Sequence, residues 1–154
     1  MQNDKEKEEI MNAKTIKMKE FLEANKIECF DLQKMADEQQ TAIFRSRMQI
    51  QGQTLPFAIL IDISVYTLLQ VQLAAGVVKG EKFNQLAAYL NEMNNNYRLF
   101  KFVALPNGDL VLNACITAKD GNFDPELINA ILGETLKFLE NEYPQIMSKV
   151  WNEK

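Results

Sequence analysis

Apolar and polar residues recur along this chain with two different periods, and the period changes at identifiable places. From Lys5 to Asn25 the spacing is helical. Ile10, Met11, Met18, Phe21 and Leu22 fall within one arc of a helical wheel, with Thr15 at its edge. Lys7 and Lys14 interrupt that arc and Ile16 lies off it, so the C-terminal half is the part expected to dock on a core. Ile27 to Leu32 then reads as a short edge strand and polar Gln33 to Gln40 as a loop. Between Thr41 and Gln51 the period is two: Phe44, Met48 and Ile50 alternate with Arg45, Arg47, Gln49 and Gln51. That pattern predicts a strand with one buried face, turned by Gly52 with Gln53 and Thr54 beside it.

Leu55 to Ile63 is a continuous apolar run that periodicity cannot phase. Asp62 and Ser64 break it, which makes Val65 to Leu73 a separate strand. There Val65, Thr67, Leu69, Val71 and Leu73 alternate with Tyr66, Leu68, Gln70 and Gln72. Gly76 and Gly80 bracket a loop before a second helix from Glu81 to about Asn94, whose apolar positions are Phe83, Leu86, Ala87, Leu90 and Met93. Asn94-Asn95-Asn96 ends it. A hairpin follows, with runs at Leu99 to Leu105 and Leu110 to Thr117 around Pro106-Asn107-Gly108-Asp109. Asn-Gly supplies the positive φ angles of a tight turn, and Leu110, Leu112, Ala114 and Ile116 form the inward face.

The last helix has the best start signal. Asp124 is an N-cap, Pro125 suits the first helical position, and Glu126 complements the positive end of the helix dipole. Leu127, Ile128, Ile131, Leu132, Leu136, Phe138 and Leu139 form its stripe. Pro144 is expected to end or kink it, with Gln145 to Trp151 adding a final helical turn or two. Strands segregated between helices predict a single α+β domain over 1–154: an antiparallel sheet of about five strands, with helices before, within and after it.

Charge and composition narrow the function. A net charge of −4 leaves no cation excess to displace phosphate counterions, so nucleic acid is not an expected partner. The absence of histidine removes the commonest general base and transition-metal ligand together. Cys29 and Cys115 sit beside apolar residues and read as buried free thiols. Leu55 to Val78 contains one charge, Asp62, but Pro56, Gln70, Gln72 and the β-branched content favour strands over a membrane span. Met1 to Glu9 has mixed charge rather than the form of a signal peptide, which predicts a cytoplasmic location and no membrane partner.

Candidate chemistry is sparse. Asp120, Asn122 and Asp124 match the first ligands of a calcium loop, but Pro125 stands where glycine is needed and Ile131 where glutamate is needed. Gly76 to Gly80 lacks the Gly-Lys-Ser/Thr ending of a phosphate loop. Asp62, an acid in an apolar run, offers a small ligand-binding domain or an enzyme with a general acid in a pocket as one alternative and a turn residue as the other. Ser64 has no base to activate it. No catalytic, metal or cofactor residue is therefore assigned. What remains is surface: with helices on one side of the sheet, Tyr66, Leu68, Gln70 and Gln72 form a candidate protein interface on the other. Val111, Asn113, Cys115 and Thr117 on the last strand, with Arg45 and Arg47, extend it.

Three stretches also carry a resemblance. Leu90-Asn91-Glu92-Met93-Asn94 closes a helix, the Phe-rich hairpin continues through Asn107-Gly108-Asp109-Leu110-Val111-Leu112, and Asp124-Pro125-Glu126-Leu127 opens a long helix. Together they resemble the YbjN-like family of bacterial sensory-transduction regulators, whose fold is similar to the type III secretion chaperones. The resemblance covers about Glu81 to Tyr143, and Met1 to Val78 matches in element order. It implies a bent antiparallel sheet and a non-enzymatic module, chaperone-like or regulatory, that binds another protein or itself as a homodimer. It implies no catalytic residues and no cofactor. A purely structural homo-oligomer is the remaining alternative.

Overall fold

A computed structural model describes residues 11–152. The order is α1 (Ala13–Ala24), β1 (Asp31–Lys34), β2 (Ala42–Ile50), β3 (Gln53–Ile61), β4 (Tyr66–Ala74), α2 (Glu81–Asn96), β5 (Phe100–Ala104), β6 (Leu110–Thr117), a 3-10 turn at Asp120–Asn122, and α3 (Pro125–Val150). The six strands form one antiparallel sheet in the order β1-β2-β3-β4-β6-β5. The fold is α+β as predicted, with six strands rather than about five. The edge strand lies later than expected, at Asp31–Lys34 instead of Ile27 to Leu32. The part of the predicted first helix from Lys5 to Ile10 lies outside the described residues.

Burial phases what periodicity left open. In β3, Leu55, Phe57, Ile59 and Ile61 point inward, and Pro56, Ala58 and Leu60 outward. In β4, Thr67, Leu69, Val71 and Leu73 are buried, while Tyr66, Leu68, Gln70 and Gln72 alternate away from them. The helices cover the inner face: Met18 and Leu22 from α1, Leu86, Leu90 and Met93 from α2, and Ile128, Leu139, Tyr143, Ile146 and Val150 from α3 join one core cluster. Phe83, counted among the apolar positions of α2, is exposed.

Lys14, which interrupts the apolar arc of α1, lies on the buried side with 0% exposure. Its Nζ donates to the backbone carbonyls of Ser64 (2.8 Å) and Tyr66 (2.9 Å) at the β3–β4 turn, and stands 5.8 Å from the Phe123 ring centroid. Asn12 caps the same helix by accepting from the Thr15 N–H, and its Nδ2 donates to the Gln40 carbonyl. The helix start is thus pinned to the β3–β4 turn by Lys14, which a wheel projection counts as an interruption, and to the segment before β2 by its N-cap Asn12.

Pro144 does not end α3; the helical turns expected from Gln145 onward continue it to Val150. Proline has no N–H to give the carbonyl four residues earlier, which here belongs to Glu140. Gln51 Nε2, from the β2–β3 turn, donates to that carbonyl at 2.9 Å. A side chain from another element supplies the donor that proline lacks.

The β5–β6 hairpin differs in its turn type. The Gly108 N–H donates to the Leu105 carbonyl, so Pro106 and Asn107 are the central residues, and of Asn107 and Gly108 only Gly108 has positive φ, at 90°. Pro106 sets the φ that the first central position of a type I turn needs, and that shifts glycine to the left-handed position after it. A Cβ on Gly108 would sit 2.9 Å from the Gly76 carbonyl carbon, so close approach also demands glycine there.

Candidate functional site

Cross-strand register fixes what the outer sheet face presents. One row runs Gln33, Ile43, Leu60, Leu68, Cys115. The next runs Asp31, Arg45, Ala58, Gln70, Asn113, Lys101. Beyond it, Arg47 pairs with Pro56, and Gln72 and Val103 pair with Val111. The β3–β4 ladder stops at Phe57 and Val71, so Pro56 and Gln72 are not paired with each other. The break falls next to the residue without an N–H, and the register of β4 on β6 shifts between Gln72 and Ala74, a local irregularity of the kind that bends a strand.

A concavity of about 680 Å³ lies over this break. Pro56, Ala58, Gln70, Gln72 and Val111 are its outward-facing floor, Cys29, Asp31, Arg45 and Arg47 stand on one side, and Leu105 and Asp109 from the hairpin turn on the other. Small or ring-closed side chains at Ala58 and Pro56 leave the depth. Val111 is only 3% exposed although it faces outward and lies outside the core cluster.

The floor is partly satisfied within itself. Gln70 Nε2 donates to Asn113 Oδ1 at 3.0 Å. Asp109 is also occupied: Oδ1 accepts from the Gly76 N–H (2.8 Å) and Oδ2 from Asn107 Nδ2 (3.1 Å). Arg45 Nε donates to Gln33 Oε1 at 3.3 Å. Among the described residues, the ion pairs are Lys19–Glu23 and Lys137–Glu134, so neither Arg45 nor Arg47 pairs with an acid there.

Of the residues singled out from sequence, Gln70 and Gln72 line the concavity, Leu68 lies half-buried in the neighbouring row, and Tyr66 is exposed at the turn end of β4. Cys29 and Cys115 are both exposed, not buried. Cys115 faces outward because it shares the phase of Asn113 and Thr117, and Cys29 precedes β1 in a loop whose carbonyl accepts from Ser46 Oγ. Asp62 does not line the concavity. Its Oδ1 accepts from the Ser64 N–H at 2.9 Å and from Ser64 Oγ, which is the geometry of a turn. Asp124 caps α3 by accepting from the Glu126 N–H at 3.0 Å, and no group of three or more potential metal ligands occurs among the described residues. No helix among the described residues is long and apolar enough to cross a membrane.

The rim residues Asp31, Leu105 and Asp109 were not legible as site residues. Pro56, inside a run that otherwise reads as a central strand, was the one available signal that pairing would break there.

No protein-family model and no curated protein matches this chain.

Proposed function

We propose that this chain is a non-enzymatic protein-binding module, chaperone-like or regulatory, that docks its partner on the outer sheet face around Leu68, Gln70 and Gln72. The resemblance to the YbjN-like family supports the same class. The observation that carries the proposal is the concavity, left open by the described residues, whose lining mixes apolar floor, neutral amides and rim charge, as protein interfaces do. A reading as an enzyme using Asp62 has less support, since its carboxylate is engaged in the turn with Ser64. A homodimer is the second reading. Ile63, Val65 and Tyr66 expose 48%, 42% and 57% of their surface at the β3–β4 end, an apolar cluster that a second copy would cover.

A photo-crosslinking residue placed at Gln72 and, as a control, at Lys137 on α3 tests the proposal in the native cell. A discrete heterologous adduct from position 72 alone, lost in a folded Leu68→Glu variant, is expected. Adducts only with itself favour the homodimer, and equal adducts from both positions would sink the proposal.

A further inference from the structure

We propose that the occupant of the outer-face concavity is an acidic amphipathic helix of a partner protein, held by Arg45 and Arg47. This rests on the outer face being the docking surface, and adds what docks there.

Backbone hydrogen bonding argues for a helix. A segment that lies across the middle of a sheet face meets side chains only, so it must satisfy its own N–H and C=O groups once water is excluded. A strand would have to pair at a sheet edge instead. At the β5 edge, Asn94 Oδ1 accepts from the Phe102 N–H (2.6 Å) and Asn94 Nδ2 donates to the Phe102 carbonyl (3.1 Å), so one carboxamide occupies the outward backbone groups at the middle of this five-residue strand. The β1 edge is four residues long and includes Asp31 and Lys34. A helix satisfies its backbone internally and presents a convex apolar stripe to Pro56, Ala58 and Val111. Two copies facing each other through this same surface would oppose concavity to concavity and leave a void.

Charge argues for acid on that helix. Arg45 and Arg47 are two positions apart on β2, face the same way, are exposed, and pair with no acid among the described residues. Both line the concavity. Two acids also line it: Asp109 is already engaged by Gly76 and Asn107, and Asp31 stands opposite Arg45 in the β1–β2 register but forms no ion pair with it. Arg47, and the terminal nitrogens of Arg45 beyond its Nε bond to Gln33, therefore suit carboxylates one helical turn apart on the occupant. The chain as a whole carries −4, so non-specific attraction would favour a basic ligand. A preference for acid is thus diagnostic of this site.

The test is a display library of short helix-compatible peptides selected on the full chain, with hits resynthesised and titrated by fluorescence anisotropy. Expected hits carry Asp or Glu one turn from Leu, Phe or Met, and lose their affinity when a central proline is introduced. They should bind a folded Arg45→Glu/Arg47→Glu variant about tenfold or more weakly, and acid-to-lysine peptides should recover binding to that variant. Hits blocked by Leu68→Glu but neutral, basic or tolerant of proline overturn the acidic helix while leaving the docking face standing. Hits insensitive to both Leu68→Glu and the arginine reversal overturn both, as does a selection that yields none. Self-association of the wild type that the arginine reversal dissolves also overturns the proposal, in favour of a second copy.

Discussion

Lys14 shows how far a single residue can depart from its apparent role. By the helical wheel it interrupts an apolar arc; in the fold it has no exposed surface and closes the end of the sheet by donating to two carbonyls. Lys14→Met keeps the length and apolar stem but leaves the Ser64 and Tyr66 carbonyls without that donor, at a cost of about 2 kcal/mol. Denaturant titration measures it. Burial holds the Lys14 pKa below its ordinary value, with Asp62, Asp120 and Cys115 pulling it back up. The unfolded chain therefore binds more protons than the native one between the lowered pKa and about 10.5, and this residue's contribution to stability rises with pH across that window. The wild-type advantage over Lys14→Met should grow on going from neutral pH toward pH ~10.5. An advantage that shrinks would mean the ammonium is favoured by its site.

At the scale of elements, the instructive contacts are those in which one element completes another. Gln51, at a φ of 50° in the β2–β3 turn, supplies a donor to the Glu140 carbonyl that Pro144 leaves unpaired, so a hairpin tip lets a 26-residue helix run past a proline. A double-mutant cycle reads this directly. Gln51→Ala should cost about 1 kcal/mol in the wild type and much less in a Pro144→Ala background, where the backbone N–H of alanine can itself donate to the Glu140 carbonyl. Equal costs in both backgrounds would show that Gln51 acts elsewhere. The strands were readable wherever one face was polar, as in β2 and β4. β3 was not, because Leu55 to Ile61 is apolar on both faces: its outward Pro56, Ala58 and Leu60 line or border the concavity rather than meet bulk water as charged side chains.

For the whole molecule, the question is which surfaces remain available. The inner face is covered by three helices, and the β5 edge is blocked at its middle residue, Phe102, by the Asn94 carboxamide. That residue reads from sequence as part of a helix-ending Asn run; its edge-closing role depends on Phe102, eight residues on, being folded back beside it. Asn94→Ala should free the Phe102 N–H and C=O and permit edge-to-edge pairing between copies. Sedimentation over a concentration series is expected to show self-association stronger than that of the wild type. An unchanged profile would mean that the neighbouring helix protects the edge without the amide.

By itself, the sequence determined the element order, the α+β class, the phase of β2 and β4, and the capped start of α3 at Asp124-Pro125. Each depends on spacing within a single segment or on a cap a few residues long, so local physics suffices. Only the tertiary structure decided that Lys14 is buried, that Pro144 is tolerated, that the cysteines face outward, and that Arg45, Arg47, Pro56 and Val111 share one concavity. Those outcomes depend on groups brought together from distant parts of the chain: carbonyls 50 and 52 residues from Lys14, and a glutamine 89 residues from Glu140. A periodicity within one element carries no information about which partner will stand opposite it.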